Sequence, residues 1–144
     1  MALVPAATRR RIRELAGGRC EYCRLPEGYS PAPFAVDHIL PRSREGDDEA
    51  ENLALCCPGC NGAKYNKVEA LDPATGALVP LFHPRQQRWS DHFTWSEDTL
   101  WVLALSATGR ATVAALHLNR QGAVNLRDLL QRRGLHPPSE DDGA

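Results

Sequence analysis

The sequence lacks a long hydrophobic run. No stretch approaches the ~20 consecutive apolar residues that a membrane-spanning helix needs, and the opening MALVPAATRRRIREL contains no apolar segment of the kind that signal peptides carry. We therefore expect a cytoplasmic protein without a membrane partner. In that reducing compartment, CxxC pairs more often bind metal or do redox work than form structural disulfides.

The sequence also lacks a strong net charge and an internal repeat. Its formal net charge is -1, so composition alone does not indicate a nucleic-acid-binding protein. The charge is unevenly distributed, however, because residues 1–24 hold six arginines and only two acidic residues, whereas the tail SEDDGA holds three acids. A basic N-terminal face fits salt-sensitive attraction to phosphates, and it also fits the solvated face of an ordinary helix.

Length and composition predict a single domain. The 144 residues are 42% hydrophobic and 24% charged, which is ordinary for a globular protein and sufficient to bury a core. Residues 1–137 are expected to form this domain, as an N-terminal basic helix (1–19), a core (20–70) and a C-terminal extension (71–137) packed on the core. Residues 138–144 are expected to be a disordered acidic tail.

Local patterns predict several short elements. A proline in the first turn and a Gly-Gly pair after the last turn indicate the first helix, and FAVDHIL and NLAL suggest strands on either side of a polar loop. The predicted helices are 5–16, 58 to about 70, 109–119 and 123–133, and the predicted strands are 34–40, 52–55 and 99–107.

Four of the five cysteines form two CxxC pairs. Cys20 and Cys23 are separated from Cys57 and Cys60 by 33 residues. Two such pairs in one short chain present four sulfurs to one ion, so the spacing predicts a tetrahedral zinc site. Cys56 could replace Cys57 in a CxxxC pair, but we prefer Cys57 because its spacing matches that of the first pair, and we expect Cys56 to be buried. Four ordinary core cysteines or a redox pair are the alternatives, although neither CxxC opens a helix in a thioredoxin-like setting.

An ordered set of polar residues accompanies the cysteines. Asp37 and His38 lie in VDHILPRS, Asn52 lies in ENL, and Asn61 and Lys64 lie in CPGCNGAK. Taken singly, a histidine in a strand or an asparagine before a strand is unremarkable. Their order relative to the cysteine pairs is the informative feature.

These motifs resemble those of the HNH endonucleases, also called the ββα-metal or His-Me finger group, in the stand-alone bacterial subset that is braced by a four-cysteine zinc site. The resemblance covers residues 20–64. It departs from the family pattern in Asn61, which replaces the last histidine of the name, and in the extra Cys56. It implies an α+β fold with a ββα-metal core, an N-terminal helix and a mixed α/β C-terminal extension.

The resemblance also implies a role for each polar residue. His38 would be the general base, Asp37 and Asn61 would bind a catalytic divalent ion, and Asn52 would orient the loop that bears the histidine. The expected activity is hydrolysis of DNA phosphodiester bonds, leaving 5'-phosphate and 3'-hydroxyl ends. Double-stranded DNA is expected ahead of single-stranded DNA or RNA.

The residue types suit this chemistry. The pKa of histidine near neutrality suits it to activating water. A hard Mg²⁺ or Mn²⁺ ion, held by one carboxylate and one amide oxygen, keeps positions open for substrate oxygens, and the neutral oxygen of Asn61 favours such an ion over Zn²⁺. The expected cofactors are therefore one structural Zn²⁺ and one catalytic Mg²⁺ or Mn²⁺.

Three basic residues are candidates for contacts with substrate phosphates: Arg42, Arg44 and Lys64. Lys64 lies three residues after Asn61 on the predicted helix, so the two share a face. Exposed loop arginines also occur without any function.

The C-terminal extension shows no catalytic pattern. His83, Asp91 and His92 could form a second metal site, but no regular ligand spacing accompanies them, so we expect structural or substrate-facing roles. The large aromatic residues here are expected to pack in the core: Trp89, Phe93, Trp95 and Trp101. Because a zinc site needs only cysteines, the alternative function is a non-catalytic zinc-finger-like module that binds nucleic acid or a protein.

Overall fold

The first element of the computed structural model, which describes residues 4–139, is helix α1 (Ala6–Ala16). The helix ends where Gly17 adopts a φ of 64°, a left-handed conformation that glycine adopts without steric cost. It buries Ile12 and Ala16 against the core. Most of the predicted acidic tail lies outside the described residues.

Two strands and a helix follow in the order ββα. Strand β1 (Ala35–His38) pairs antiparallel with β2 (Leu53–Cys56), and His38 lies opposite Leu53. Helix α2 (Pro58–Lys64) begins directly after Cys57, the first cysteine of the second pair. This order confirms the predicted α+β fold, with its small ββα unit next to the four cysteines.

The prediction that α2 runs to about Ala70 is wrong. The helix ends at Lys64, because residues 64–67 form a tight turn in which the Lys67 amide donates a hydrogen bond of 2.9 Å to the Lys64 carbonyl oxygen. The chain then enters a strand that begins at Glu69.

The C-terminal extension consists of two small antiparallel hairpins and three helices. The elements are β3 (Glu69–Leu71), β4 (Leu78–Pro80), α3 (Trp89–His92), β5 (Phe93–Trp95), β6 (Val102–Ala104), α4 (Ala107–Leu116) and α5 (Gln121–Arg132). The sequence does not predict β3, β4, α3 and β5, because elements of three or four residues are too short to show a periodicity.

One cluster of buried side chains includes residues from α1, the ββα unit and the extension. Trp89 and Phe93 belong to it, and the Trp89 indole donates a hydrogen bond of 2.9 Å to the Tyr22 carbonyl oxygen. Trp101 is 43% exposed, so the expectation that it packs in the core does not hold. No helix within residues 4–139 is long and apolar enough to cross a membrane.

Candidate nuclease cleft and metal centre

The two cysteine pairs meet in space. The Sγ atoms of Cys20, Cys23, Cys57 and Cys60 all lie within 4.8 Å of one another, and all four residues are buried. The Cys23 and Cys57 sulfurs are 3.6 Å apart, close to the roughly 3.8 Å that separates two sulfurs on a tetrahedral zinc ion with bonds of about 2.3 Å. The cluster therefore fits one structural zinc ion, and its members are those that the CxxC spacing predicted, without Cys56.

Hydrogen bonds of the local backbone hold each cysteine pair in position. The first pair lies in a turn closed by the Cys20 amide, which donates a hydrogen bond of 2.9 Å to the Leu25 carbonyl oxygen. In the second pair, Cys57 caps the N-terminus of α2, where its sulfur accepts a hydrogen bond from the Cys60 amide at 3.4 Å. Both pairs are thus held by main-chain contacts that do not require an ion.

The ionisation of the sulfurs supports a cation among them. Burial raises the pKa of the Cys20 thiol, whereas a hydrogen bond from Cys20 lowers the pKa of the Cys57 thiol. A divalent cation is what allows four buried sulfurs to ionise together, and four thiolates are a zinc donor set.

The C-terminal extension contributes a cation to this cluster that was not predicted. The guanidinium of Arg120, in the segment between α4 and α5, lies 3.2 Å from the Cys57 sulfur and 3.6 Å from the Cys60 sulfur. Its charge offsets that of the thiolates. Sequence offered no signal for this contact, because the residues are about 60 positions apart.

A cleft between the end of β1 and the start of α2 brings together three of the four predicted catalytic residues. Asp37, His38 and Asn61 all border this β1–α2 cleft, whose volume is about 290 Å³. Neighbours on a regular strand point to opposite sides. Asp37 and His38 nevertheless both border this cleft, and β1 ends at His38.

The Asp37 carboxylate lies at the buried side of the cleft. It accepts a hydrogen bond from the Tyr22 hydroxyl at 3.1 Å and pairs with the Lys64 ammonium, also at 3.1 Å. Burial raises the pKa of the Asp37 carboxyl, against the opposing effect of the Lys64 charge. Tyr22, which lies between the cysteines of the first pair, thus contacts the predicted metal ligand.

Lys64 occupies a different position from the one expected. The residue is almost fully buried, and its ammonium lies within 3.4 Å of the carbonyl oxygens of His38 and Ile39 as well as near Asp37. The structure therefore does not place this cation where a substrate phosphate could reach it. Instead, Lys64 joins the end of α2 to the end of β1.

His38 is oriented by a residue that the sequence did not single out. Its Nε2 atom lies 2.8 Å from Asp48 Oδ1, and the same carboxylate pairs with Arg42 at 3.0 Å. Within residues 4–139, the Nδ1 atom of His38 has no hydrogen-bond partner. Asp48 lies in the polar loop between the strands, where an acidic residue gives no distinctive pattern.

Asn52 fixes the loop that follows His38. Its side-chain oxygen accepts a hydrogen bond from the Leu40 amide at 2.8 Å, and its side-chain nitrogen donates to the carbonyl oxygens of Leu40 and Asp47 at 3.0 and 2.9 Å. Gly46 packs against this arrangement so closely that a Cβ atom there would overlap the Leu40 carbonyl. Asn52 does not border the cleft, but it holds both ends of the loop beside it.

The remaining candidates divide by position. Arg42 borders the cleft, whereas Arg44 is exposed on the same short helical turn and is not part of the cleft wall. His83 Nδ1 accepts backbone hydrogen bonds in its own turn, and His92 Nδ1 lies 2.7 Å from the Ser106 hydroxyl. Among residues 4–139, the four cysteines are the only group of three or more His, Cys, Asp or Glu side chains whose ligand atoms lie close enough together to hold one metal ion.

The segment that contains the β1–α2 cleft is similar to a known protein family. Residues 20–67 match the family model described as HNH endonuclease, and this third of the chain includes both cysteine pairs and all four predicted catalytic residues. No curated protein and no solved structure matches the chain. The match supports a nuclease-type function in general. Residues 20–67 are therefore similar to the HNH endonuclease family, and they hold a four-cysteine cluster that fits a structural zinc ion.

Proposed function

We propose that this protein is a metal-dependent endonuclease that hydrolyses DNA phosphodiester bonds in the β1–α2 cleft. One observation carries the proposal, namely that Asp37, His38 and Asn61 border a single cleft inside the HNH segment. The three supply a base and two oxygen ligands, the groups that metal-assisted phosphodiester hydrolysis requires.

His38 is the proposed general base. The Asp48 carboxylate accepts the Nε2 proton, so the neutral imidazole carries its lone pair on Nδ1. A water at Nδ1 would lose its proton to that lone pair as it attacks the phosphorus. Asn52 contributes by holding the loop that follows the histidine, so that the imidazole keeps its orientation.

Asp37 and Asn61 are the proposed ligands of a catalytic divalent ion. A carboxylate has about four lone-pair sites, and Tyr22 and Lys64 leave capacity at Asp37 for a cation. An amide and a carboxylate oxygen are the donors that Mg²⁺ and Mn²⁺ prefer. When bound, such an ion polarises the phosphate and stabilises the leaving oxygen.

The charges around the cleft suit a polyanionic substrate. Arg42 lies on the cleft wall and Arg44 one residue beyond Ser43, so both are proposed to contact phosphates on either side of the scissile bond. These contacts carry no base information, so they predict affinity that falls with salt. We propose double-stranded DNA as the substrate and the cytoplasm, where thiolate ligands stay reduced, as the location.

The alternative is a zinc module that binds nucleic acid or a protein without cutting. Its motivating observation is that the cysteine cluster and Arg120 involve none of the cleft side chains. Only the nuclease requires a second, catalytic metal ion in addition to the structural zinc ion.

A metal-dependence assay tests the proposal. Zinc-loaded protein in a buffer without other divalent ions is incubated with supercoiled plasmid, and nicking is expected only after addition of Mg²⁺ or Mn²⁺. Asn61→Ala is expected to raise the Mg²⁺ concentration at half-maximal nicking while zinc content stays unchanged. Plasmid that is bound but not cut, whichever divalent ion is added, would establish the alternative. Parallel assays with single-stranded DNA and RNA identify the substrate class.

A further inference from the structure

Tyr65 places an exposed aromatic ring on the wall of the β1–α2 cleft. It borders the same cleft as His38 and Asn61, and it is 77% exposed. Among residues 4–139 its hydroxyl has no hydrogen-bond partner and its ring stacks on no other ring. The ring therefore contributes little to holding the fold together.

The backbone of Tyr65 is in a conformation that favours glycine. Its φ is 51° and its ψ is -114°, which corresponds to the first central position of a type II′ turn. The 2.9 Å hydrogen bond from the Lys67 amide to the Lys64 carbonyl closes that turn. A side chain at this position costs folding free energy, and an exposed ring recovers none of it inside the protein.

We infer that Tyr65 is a substrate-contacting residue, whose ring stacks on the flat face of a nucleoside next to the scissile phosphate. The inference rests on the proposed function, because it takes the occupant of the cleft to be a nucleic-acid strand. The polar side chains of the cleft face the phosphate, and Tyr65 is the aromatic surface beside them. Stacking on aromatic rings binds nucleosides without sequence preference, since every base has a π-face.

A nucleoside offers an aromatic ring two surfaces, the flat face of the base and the C–H face of the sugar. A set of oligonucleotides with one abasic site at each position around the cleavage point separates the two. If the base is the partner, one abasic position removes the difference between wild type and Tyr65→Ala. If the sugar is the partner, the difference persists at every position.

The test compares four variants of the zinc-loaded full chain: Tyr65→Ala, Tyr65→Phe, Tyr65→Gly and Tyr29→Ala. Tyr29 is 54% exposed and does not border the cleft, so it is the matched control. Binding of a fluorescein-labelled oligonucleotide is measured by anisotropy, and cleavage is measured under single-turnover conditions. Melting temperatures are recorded for all variants.

Tyr65→Ala and Tyr65→Gly are expected to weaken binding about 5-fold or more, because one stacked base contributes at least ~1 kcal/mol. Tyr65→Phe and Tyr29→Ala should bind as wild type does. Tyr65→Gly should melt no lower than wild type, since glycine suits the turn, whereas a purely structural role for the ring would lower the melting temperature.

The outcomes separate this inference from the proposed function. Wild-type cleavage and binding by Tyr65→Ala would overturn the inference alone. Weaker binding by Tyr65→Ala of DNA that neither wild type nor any variant cuts would support stacking by Tyr65 on nucleic acid and overturn the nuclease proposal. A wild-type protein that binds no nucleic acid would overturn both.

Discussion

Replacing Lys64 with methionine removes one partner of the buried ion pair beneath the cleft. The Lys64 ammonium lies 3.1 Å from the Asp37 carboxylate, and the side chains are 2% and 5% exposed. Methionine fills a similar volume without a charge, so the change isolates the electrostatic contribution of Lys64.

The expected loss of stability is large because Asp37 would be left as a buried carboxylate without its cation. Breaking a buried pair on one side costs about 3–5 kcal/mol, which corresponds to a fall in melting temperature of about 6–20 °C for a chain of this size. Lys67→Met is the matched control, because Lys67 is exposed three residues further on and should change the free energy of unfolding by about 0.5 kcal/mol or less.

A double-mutant cycle assigns the loss to the pair. Asp37→Asn alone leaves an unpaired ammonium, whereas Asp37→Asn combined with Lys64→Met leaves two neutral groups. The double variant should therefore be more stable than the sum of the single effects predicts. Thermal unfolding followed by circular dichroism on proteins with equal zinc content measures the cycle. Additive effects, or a Lys64→Met protein that melts within about 2 °C of wild type, would refute this account of the cleft.

Three further predictions concern the zinc cluster and the loop beside the cleft. Cys57→Ser should lose the roughly one zinc ion per chain that a single tetrahedral site binds, and Cys56→Ser should retain it. Metal analysis after anaerobic purification measures both. The reverse result would overturn the assignment of Cys57 as a ligand. Gly46→Ala should slow plasmid nicking about 100-fold, because the added Cβ would overlap the Leu40 carbonyl. Gly28→Ala should nick as wild type does, because its Cβ meets nothing within 4 Å. Equal rates for the two variants would contradict the close packing of Gly46 in the loop after His38. Asp48→Asn should lower kcat about 10-fold or more with little change in KM, because an amide can donate as well as accept and so does not hold the His38 proton on Nε2 and the lone pair on Nδ1. An unchanged kcat would remove Asp48 from the mechanism.

The ββα order and the cysteine cluster could be predicted because short-range spacing determines them. A CxxC pair presents two sulfurs by local backbone geometry, and two pairs need only meet once to complete the site. The same meeting brings Asn61, next to Cys60, close to the end of β1. The resemblance of the motifs to those of the HNH endonucleases therefore predicts that Asp37, His38 and Asn61 lie together, as they do along the β1–α2 cleft.

The parts that could not be predicted depend on contacts between distant segments. Lys64 and Asp37 are 27 residues apart, and Arg120 approaches Cys57 from 63 residues away. Helical periodicity places Lys64 on a face of α2 but does not say whether that face meets water or β1. The end of α2 at Lys64 could not be predicted for a local reason. Tyr65 occupies the turn position that follows the helix, where a glycine would have indicated the helix end.

The central claim is that His38 in the β1–α2 cleft activates water for cleavage of DNA. Single-turnover nicking of supercoiled plasmid by zinc-loaded protein with Mg²⁺ tests it most directly, with wild type beside His38→Ala and His117→Asn. His117 is exposed with a φ of 50°, which asparagine tolerates, so that variant should nick at the wild-type rate. His38→Ala should be slower by about 100-fold or more. A His38→Ala protein that nicks at the wild-type rate would contradict the account.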